Sequence, residues 1–97
     1  MPVQAFVGLI KGLKDEASKC DPLLILDAVD SLEYIWDYVS PSECESMRHE
    51  ILDECSKFAD SHSMDAINNV IDKIAGRKFI RNDVGKAVNE LINEFKN

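Results

Sequence analysis

Hydrophobic residues recur at intervals of three and four positions in five successive segments of the chain, and no segment alternates apolar with polar residues as a strand does. The first segment covers about residues 3–20, with charged residues at many of the positions outside its apolar stripe. That stripe consists of Val3, Phe6, Leu9, Ile10, Leu13, Ala17 and Cys20. The spacing predicts an amphipathic helix with one face on a hydrophobic core.

Capping signals mark the start of the second and third segments. Asp21 precedes a proline and can accept from the free N–H groups of a helix that runs to about Val39. The Ser-Pro-Ser-Glu motif at residues 40–43 has the form of a capping box and predicts a third helix ending near Asp60 or Ser61. The inward positions predicted for the second helix are Ile25, Ala28, Val29, Leu32, Ile35, Trp36 and Val39. Those predicted for the third are Cys44, Met47, Ile51, Leu52, Cys55, Phe58 and Ala59.

Two further helices are expected in the C-terminal part of the chain. Ser63 is the predicted N-cap of the fourth helix, and Gly76 is a natural stop because glycine adopts the left-handed conformation without steric cost. A basic connector at residues 77–81 follows, and Asn82 is the predicted cap of the fifth helix. The inward positions of the fourth are Met64, Ile67, Val70, Ile71 and Ile74. Those of the fifth are Val84, Ala87, Val88, Leu91, Ile92 and Phe95.

The expected architecture is an all-α, single-domain bundle of four to five mostly antiparallel amphipathic helices over residues 1–97. One kinked helix in place of the last two is the alternative, but the signals at Gly76 and Asn82 favour two. The length of 97 residues suits one hydrophobic core.

The chain carries 18 acidic and 11 basic residues, a net charge of −7. This charge argues against direct binding to nucleic acid or to an anionic membrane, both of which are polyanions. No apolar run approaches the ~20 residues of a membrane span, and the N-terminus lacks the features of a signal peptide. Three cysteines without a disulfide spacing indicate a reduced, cytoplasmic location.

The negative charge is concentrated in the middle of the chain. Residues 15–60 contain 13 acids against three bases, a net charge of −10. At 100° per residue, one outward arc of the second helix combines three acids with both tyrosines of the protein. These residues are Asp27, Asp30, Tyr34, Asp37 and Tyr38. Tyrosine is enriched in binding hot spots, so this arc is the predicted partner-binding face. The alternatives are a merely solvated acidic surface, and tyrosines that pack beneath another helix of the bundle.

Other chemistry has little support in the sequence. The residues Cys44, His49, Cys55 and His62 are spaced more widely than the ligand pairs of structural zinc sites, so no metal is expected. There is no glycine-rich phosphate loop and no nucleophile signature, so we expect neither enzyme activity nor a cofactor. The basic connector at 77–81 lacks the spacing of a helix-turn-helix reader, so no direct nucleic-acid binding is expected.

The tripeptide Asp30-Ser31-Leu32 resembles the attachment motif of acyl carrier proteins, which are also small, acidic and helical. The resemblance implies that Ser31 would carry a phosphopantetheine arm. Acyl carrier proteins place this serine at the start of a helix, whereas the pattern here places Ser31 nine residues beyond Pro22, in the middle of one.

In size, charge and clustered tyrosines and acids, the chain resembles the small acidic immunity proteins that neutralise nuclease toxins, and phage proteins that block host defence enzymes. This resemblance implies a non-enzymatic inhibitor, monomeric or homodimeric, of a basic protein that processes nucleic acid. The alternatives are a homo-oligomeric helical adaptor or structural protein, and an acyl-carrier-like protein.

Overall fold

Every amphipathic segment forms an α-helix in the computed structural model, which describes residues 2–16, 21–76 and 81–96. The helices of this part of the chain are α1 (Pro2–Glu16), α2 (Pro22–Tyr38), α3 (Pro41–Ser56), α4 (Ser61–Gly76) and α5 (Arg81–Lys96). The prediction of an all-α bundle is confirmed. The predicted end of the first helix, with Ala17 and Cys20, and connector residues 77–80 lie outside the described residues.

Two of the predicted N-caps accept hydrogen bonds from the first turns of their helices, as expected. The Asp21 carboxylate accepts from the backbone N–H of Leu23 at 2.9 Å, and proline occupies the first turn of α2. At α3, the Ser40 hydroxyl oxygen accepts from the backbone N–H of Glu43 at 3.3 Å. The Glu43 carboxylate accepts in return from the Ser40 hydroxyl, at 3.1 Å. Both caps satisfy donors that the helix itself leaves unpaired.

Three predicted helix boundaries are wrong. The third helix ends at Ser56, before the expected Asp60 or Ser61. Asp60 instead caps α4, because its carboxylate accepts from the backbone N–H of Ser63 at 2.8 Å. Ser63 therefore lies in the first turn of α4 rather than at its cap, and its side chain is buried. Helix α5 begins at Arg81, one residue before the predicted cap Asn82.

One hydrophobic core receives side chains from all five described helices. The predicted stripes supply most of it, including Trp36, whose exposed fraction is 4%. Five stripe positions of α3 and the residues after it are only partly buried, although they pack against the core. These are Cys44, Met47, Leu52, Phe58 and Ala59. Val7, which the stripe of α1 omitted, is buried. Ile35 and Val39, which were predicted to face inward from α2, are only half-buried. The periodicity thus identified most positions of the core faces correctly.

Helix α2 packs against three other helices, α1, α4 and α5. Helix α3, although it follows α2 closely in the chain, packs mainly against α1 and α4, and α4 and α5 form the most extensive helix pair. The described residues have a Cα radius of gyration of 12.3 Å, near the ~13 Å of a folded 100-residue domain. With three neighbours on its inner side, α2 leaves its opposite side to solvent.

Candidate interaction surface

The large hydrophobic side chains that remain exposed in the described part of the chain all belong to α2. They are Leu23, Leu24, Tyr34 and Tyr38, with exposed fractions of 65%, 52%, 65% and 74%. Scattered apolar residues on a surface need no explanation, but a concentration on one helix indicates an interaction site. The predicted binding face included neither Leu23 nor Leu24.

The positions of these residues around α2 define one continuous surface. At 100° per residue, six side chains fall within an arc of about 100°, and their positions span ~22 Å along the helix axis. We call this surface the outer face of α2. It consists of Leu23, Asp27, Asp30, Tyr34, Asp37 and Tyr38. The predicted site residues therefore share one helix face. Leu23 lies near the midline of this face, and Leu24 lies just outside its edge.

The two tyrosines contact each other through their rings. Their ring centroids lie 4.9 Å apart, with an angle of 43° between the ring planes. This distance is within the range of favourable aromatic pairs. Both side chains are mostly exposed, so the alternative in which Tyr34 and Tyr38 pack beneath another helix is wrong for this chain. The pair forms an aromatic surface that faces solvent.

Acidic residues surround the tyrosine pair. Asp27 and Asp37 are exposed and Asp30 is half-buried, while α2 contains no Lys or Arg. Helix α3 adds five acids, and its single arginine, Arg48, is paired with Asp72 of α4. The outer face of α2 therefore carries three acids and no base from its own helix, a charge that a cationic partner would complement.

The buried side of α2 holds this surface in place. Trp36 lies in the core, and its backbone carbonyl accepts from the Cys44 thiol at a donor–acceptor distance of 3.6 Å. This contact links the last turn of α2 to the first turn of α3. A surface on a packed helix loses little conformational entropy when it binds, because its backbone is already ordered.

Ser31 lies in the middle of α2, where the sequence pattern placed it. Its side chain is exposed, and its hydroxyl donates to the backbone carbonyl of Asp27 at 3.2 Å. Such a bond to the preceding helical turn is common for serine within helices. Ser31 is thus not at the helix start that acyl carrier proteins use for their attachment serine.

The titratable groups of the described residues do not converge on a second site. No group of three or more His, Cys, Asp or Glu side chains in this part of the chain could hold a metal ion. Burial, with a contribution from the Glu54 carboxylate, raises the pKa of the Cys55 thiol to about 11, so this thiol is not an activated nucleophile. Cys44 is half-buried, and Cys20 lies outside the described residues.

A groove with a volume of about 400 Å³ lies between α1 and the end of α3. Val7 and Phe58 form part of its apolar lining, and Lys11 and Lys57 lie at its edge. The Lys57 ammonium donates to the Glu54 carboxylate at 3.0 Å. Sequence reasoning did not find this groove, because the two helices that form it are far apart in the chain.

Comparison with other proteins adds no relative. No known protein family, no curated protein and no solved structure matches this chain. Among the described residues, none of the helices combines the length and the apolar character needed to cross a membrane.

Proposed function

We propose that this protein is a small, acidic, non-enzymatic binding protein that inhibits a basic partner, in the manner of an immunity protein against a nuclease toxin or a phage inhibitor of a defence enzyme. The observation that supports this proposal is the coincidence on α2 of the exposed tyrosines and leucines with three aspartates. The aromatic and apolar side chains supply contact area, and the carboxylates supply charge complementarity.

The proposed mechanism is charge mimicry. An enzyme that processes nucleic acid carries a cationic cleft, since it must bind a phosphate backbone. An acidic helix that enters such a cleft would pair with the same Lys and Arg side chains and exclude the substrate. The net charge of −7 would also accelerate encounter with a cationic surface at low ionic strength. The proposed setting is the cytoplasm, where an inhibitor would meet an intracellular enzyme.

Self-association through the same face is the second candidate, and it corresponds to a homo-oligomeric adaptor. The exposed Leu23, Leu24 and tyrosine pair favour it. In a two-fold dimer, however, Asp27, Asp30 and Asp37 of one copy would approach the same residues of the other. Like charges across an interface are unfavourable, so the charge pattern favours a different, cationic partner over a second copy.

The test compares two variants with the same change in charge. Asp27→Lys with Asp37→Lys reverses two exposed acids of the outer face of α2, and Glu45→Lys with Glu50→Lys reverses two exposed acids of α3. The wild-type protein and both variants serve as bait in extracts of the source cell. Proteins retained by the wild type and the α3 variant, but lost with the α2 variant, are purified for kinetic measurements.

With the purified partner, the α2 variant should associate roughly tenfold or more slowly than the α3 variant at low ionic strength. Wild-type protein should also compete with nucleic acid for the partner. Equal association of the two variants, or a partner whose nucleic-acid processing continues unchanged in the complex, would contradict the proposal. Light scattering over a range of concentrations tests the alternative, because a dimer through this face would dissociate in Tyr34→Ala with Tyr38→Ala, which removes exposed aromatic contact area, and not in the α3 variant.

A further inference from the structure

We propose that the groove between α1 and the end of α3 binds a small amphipathic carboxylate, a ligand with an apolar body and one carboxylate group. The described residues that line this groove include none from the outer face of α2, so the inference goes beyond the proposed function and does not depend on it. The observations that support it are the apolar lining of the groove, the space beside Gly8 and the charge of Lys11.

The dimensions of the groove suit a small molecule. One wall is a stripe of α1 whose positions span ~10 Å along the helix axis, and it consists of Gln4, Val7, Gly8 and Lys11. The other wall lies at the end of α3 and contains Glu54, Lys57 and Phe58. The volume of about 400 Å³ lies within the ~300–1,000 Å³ of small-ligand sites. A docked helix of several turns would be longer than this groove.

Gly8 leaves space at the α1 wall. A Cβ atom placed on Gly8 would meet no heavy atom within 4 Å beyond its own stretch of helix. Val7 and Phe58 line the same groove, so an alkyl group lying over Gly8 would remove apolar surface from water on both sides. This part of the groove therefore suits the apolar body of the ligand.

The charges at the edge of the groove favour an anionic head group. Glu54 is the acid among the described lining residues, and its carboxylate already accepts from the Lys57 ammonium at 3.0 Å. Lys11 is exposed and makes no hydrogen bond or ion pair with any residue that the structure describes. An incoming carboxylate would therefore pair with the Lys11 ammonium without displacing a partner.

A second hollow, on the other side of Phe58, offers a comparison. Lys14 lines it together with Phe58, but two acids, Asp60 and Glu94, line it as well. These carboxylates would repel an anion, whereas the single acid described in the α1–α3 groove is paired within the protein. The charge pattern therefore favours the groove beside Lys11 for a carboxylate ligand.

The experiment titrates the full chain, labelled for NMR, with octanoate and with octylammonium, which have alkyl chains of equal length and opposite charges. At millimolar concentration, octanoate should shift the backbone signals of Gly8, Lys11 and Phe58. It should bind about two- to fivefold more tightly than octylammonium, since exposed charge pairs contribute modestly.

Two glycines of α1 provide matched variants. Gly8→Leu fills the groove and should weaken octanoate binding about tenfold or more. Gly12→Leu makes the same change at another exposed glycine with open space around it, outside the groove lining, and should change the affinity less than about twofold. Leucine is a better helix former than glycine, so we expect both variants to fold.

Two lysines test the head group. Lys11→Gln should weaken octanoate binding about two- to fivefold, and Lys14→Gln, with the same change in charge outside the groove, should weaken it less. Equal affinities of the two lysine variants, or of octanoate and octylammonium, would overturn the assignment of a carboxylate.

The remaining outcomes test the groove as the site. The absence of octanoate-induced shifts at the groove residues, or equal binding by Gly8→Leu and Gly12→Leu, would overturn the inference. If the groove signals change with protein concentration alone, a second copy occupies the groove and the inference is wrong. These results leave the proposal for the outer face of α2 unaffected, because its variants change other residues.

Discussion

Arg48 of α3 donates a hydrogen bond from Nη2 to the side-chain oxygen of Asn68 on α4, at 2.8 Å. The same nitrogen pairs with the carboxylate of Asp72, one turn further along α4. The Arg48 side chain is mostly buried and its hydrogen bond to Asn68 is partly shielded from water, whereas the Asp72 side chain is exposed. Among the residues of α3, only Ile51 and Cys55 are fully buried, and the Arg48 contacts add a polar link between α3 and α4.

The first prediction concerns this contact. Arg48→Ala should lower the free energy of unfolding by ~1–3 kcal/mol, since it removes charged hydrogen bonds and leaves Asn68 without its partner. Urea titration followed by circular dichroism measures the change. His49→Ala, at the exposed neighbouring position, is the control and should change stability by less than ~0.5 kcal/mol. Equal effects of the two substitutions would show that the contact contributes nothing to stability.

The second prediction concerns the aromatic residue in the core. Trp36→Ala should destabilise the protein by ~3–5 kcal/mol, because it removes a large side chain from a packed interior. Tyr38→Ala truncates an exposed aromatic residue of the same helix and should cost only ~1 kcal/mol, chiefly through the loss of its ring contact with Tyr34. Denaturant unfolding compares them. In the wild type, the fluorescence of Trp36 should have its maximum at shorter wavelength than that of free tryptophan, and coincident maxima would contradict its burial.

The third prediction is a loss of stability at alkaline pH. Burial raises the pKa of the Cys55 thiol from its usual value of 9.0 to about 11 in the folded protein. Between these values the unfolded chain releases the thiol proton while the folded chain retains it. The free energy of unfolding should therefore fall as the pH rises from 9 to 11, by on the order of 2 kcal/mol.

The control for Cys55 is the variant Cys55→Ala. The pKa of Lys57 is also raised, because its ammonium donates a hydrogen bond to Glu54. Lysine titration therefore contributes to the alkaline response of both the wild type and Cys55→Ala. The difference between wild type and Cys55→Ala isolates the thiol. If the free energies of unfolding of the two proteins fall equally from pH 9 to 11, the thiol of Cys55 is not protected from ionisation.

Labelling with a thiol reagent at pH 8 should likewise be slower at Cys55 than at the half-buried Cys44.

The fourth prediction concerns the cap of α4. Hydrogen bonds from Ser63 hold the pKa of the Asp60 carboxyl below its usual value of 3.8. A lowered pKa stabilises the fold above the pKa of the unfolded chain, and this stabilisation is lost as the pH falls through the lower, folded value. Asp60→Ala should therefore reduce the melting temperature at neutral pH, and its effect should diminish as the pH falls through the lowered pKa of the Asp60 carboxyl.

The variant Asp60→Asn distinguishes the stability contributed by the capping hydrogen bond from that contributed by the negative charge. Asparagine keeps a side-chain oxygen that can accept from the Ser63 N–H, so Asp60→Asn should retain more stability at neutral pH than Asp60→Ala. Thermal unfolding over pH 2–7 provides the comparison. Equal melting temperatures for wild type and Asp60→Ala at neutral pH would indicate that the α4 N-terminus is satisfied without this carboxylate.

The all-α class, the stripes of core residues and the caps at Asp21 and Ser40 could all be predicted from the sequence. Each depends on residues within one or two helical turns of one another. Apolar periodicity determines which side of a helix is buried, and a capping side chain interacts only with the next few backbone N–H groups. Local sequence is sufficient for such features.

Contacts between helices determine the cap of α4 and the exposure of the outer face of α2. Asp60 and Ser63 are both good capping residues, and burial of the Ser63 side chain leaves the cap to Asp60. Likewise, the arc that contains Tyr34 and Tyr38 could have been covered by a neighbouring helix. It is exposed because α1, α4 and α5 all pack on the opposite side of α2. Residue types and periodicity along α2 place the tyrosines and aspartates on one face, but only the packing of distant segments determines whether that face meets solvent.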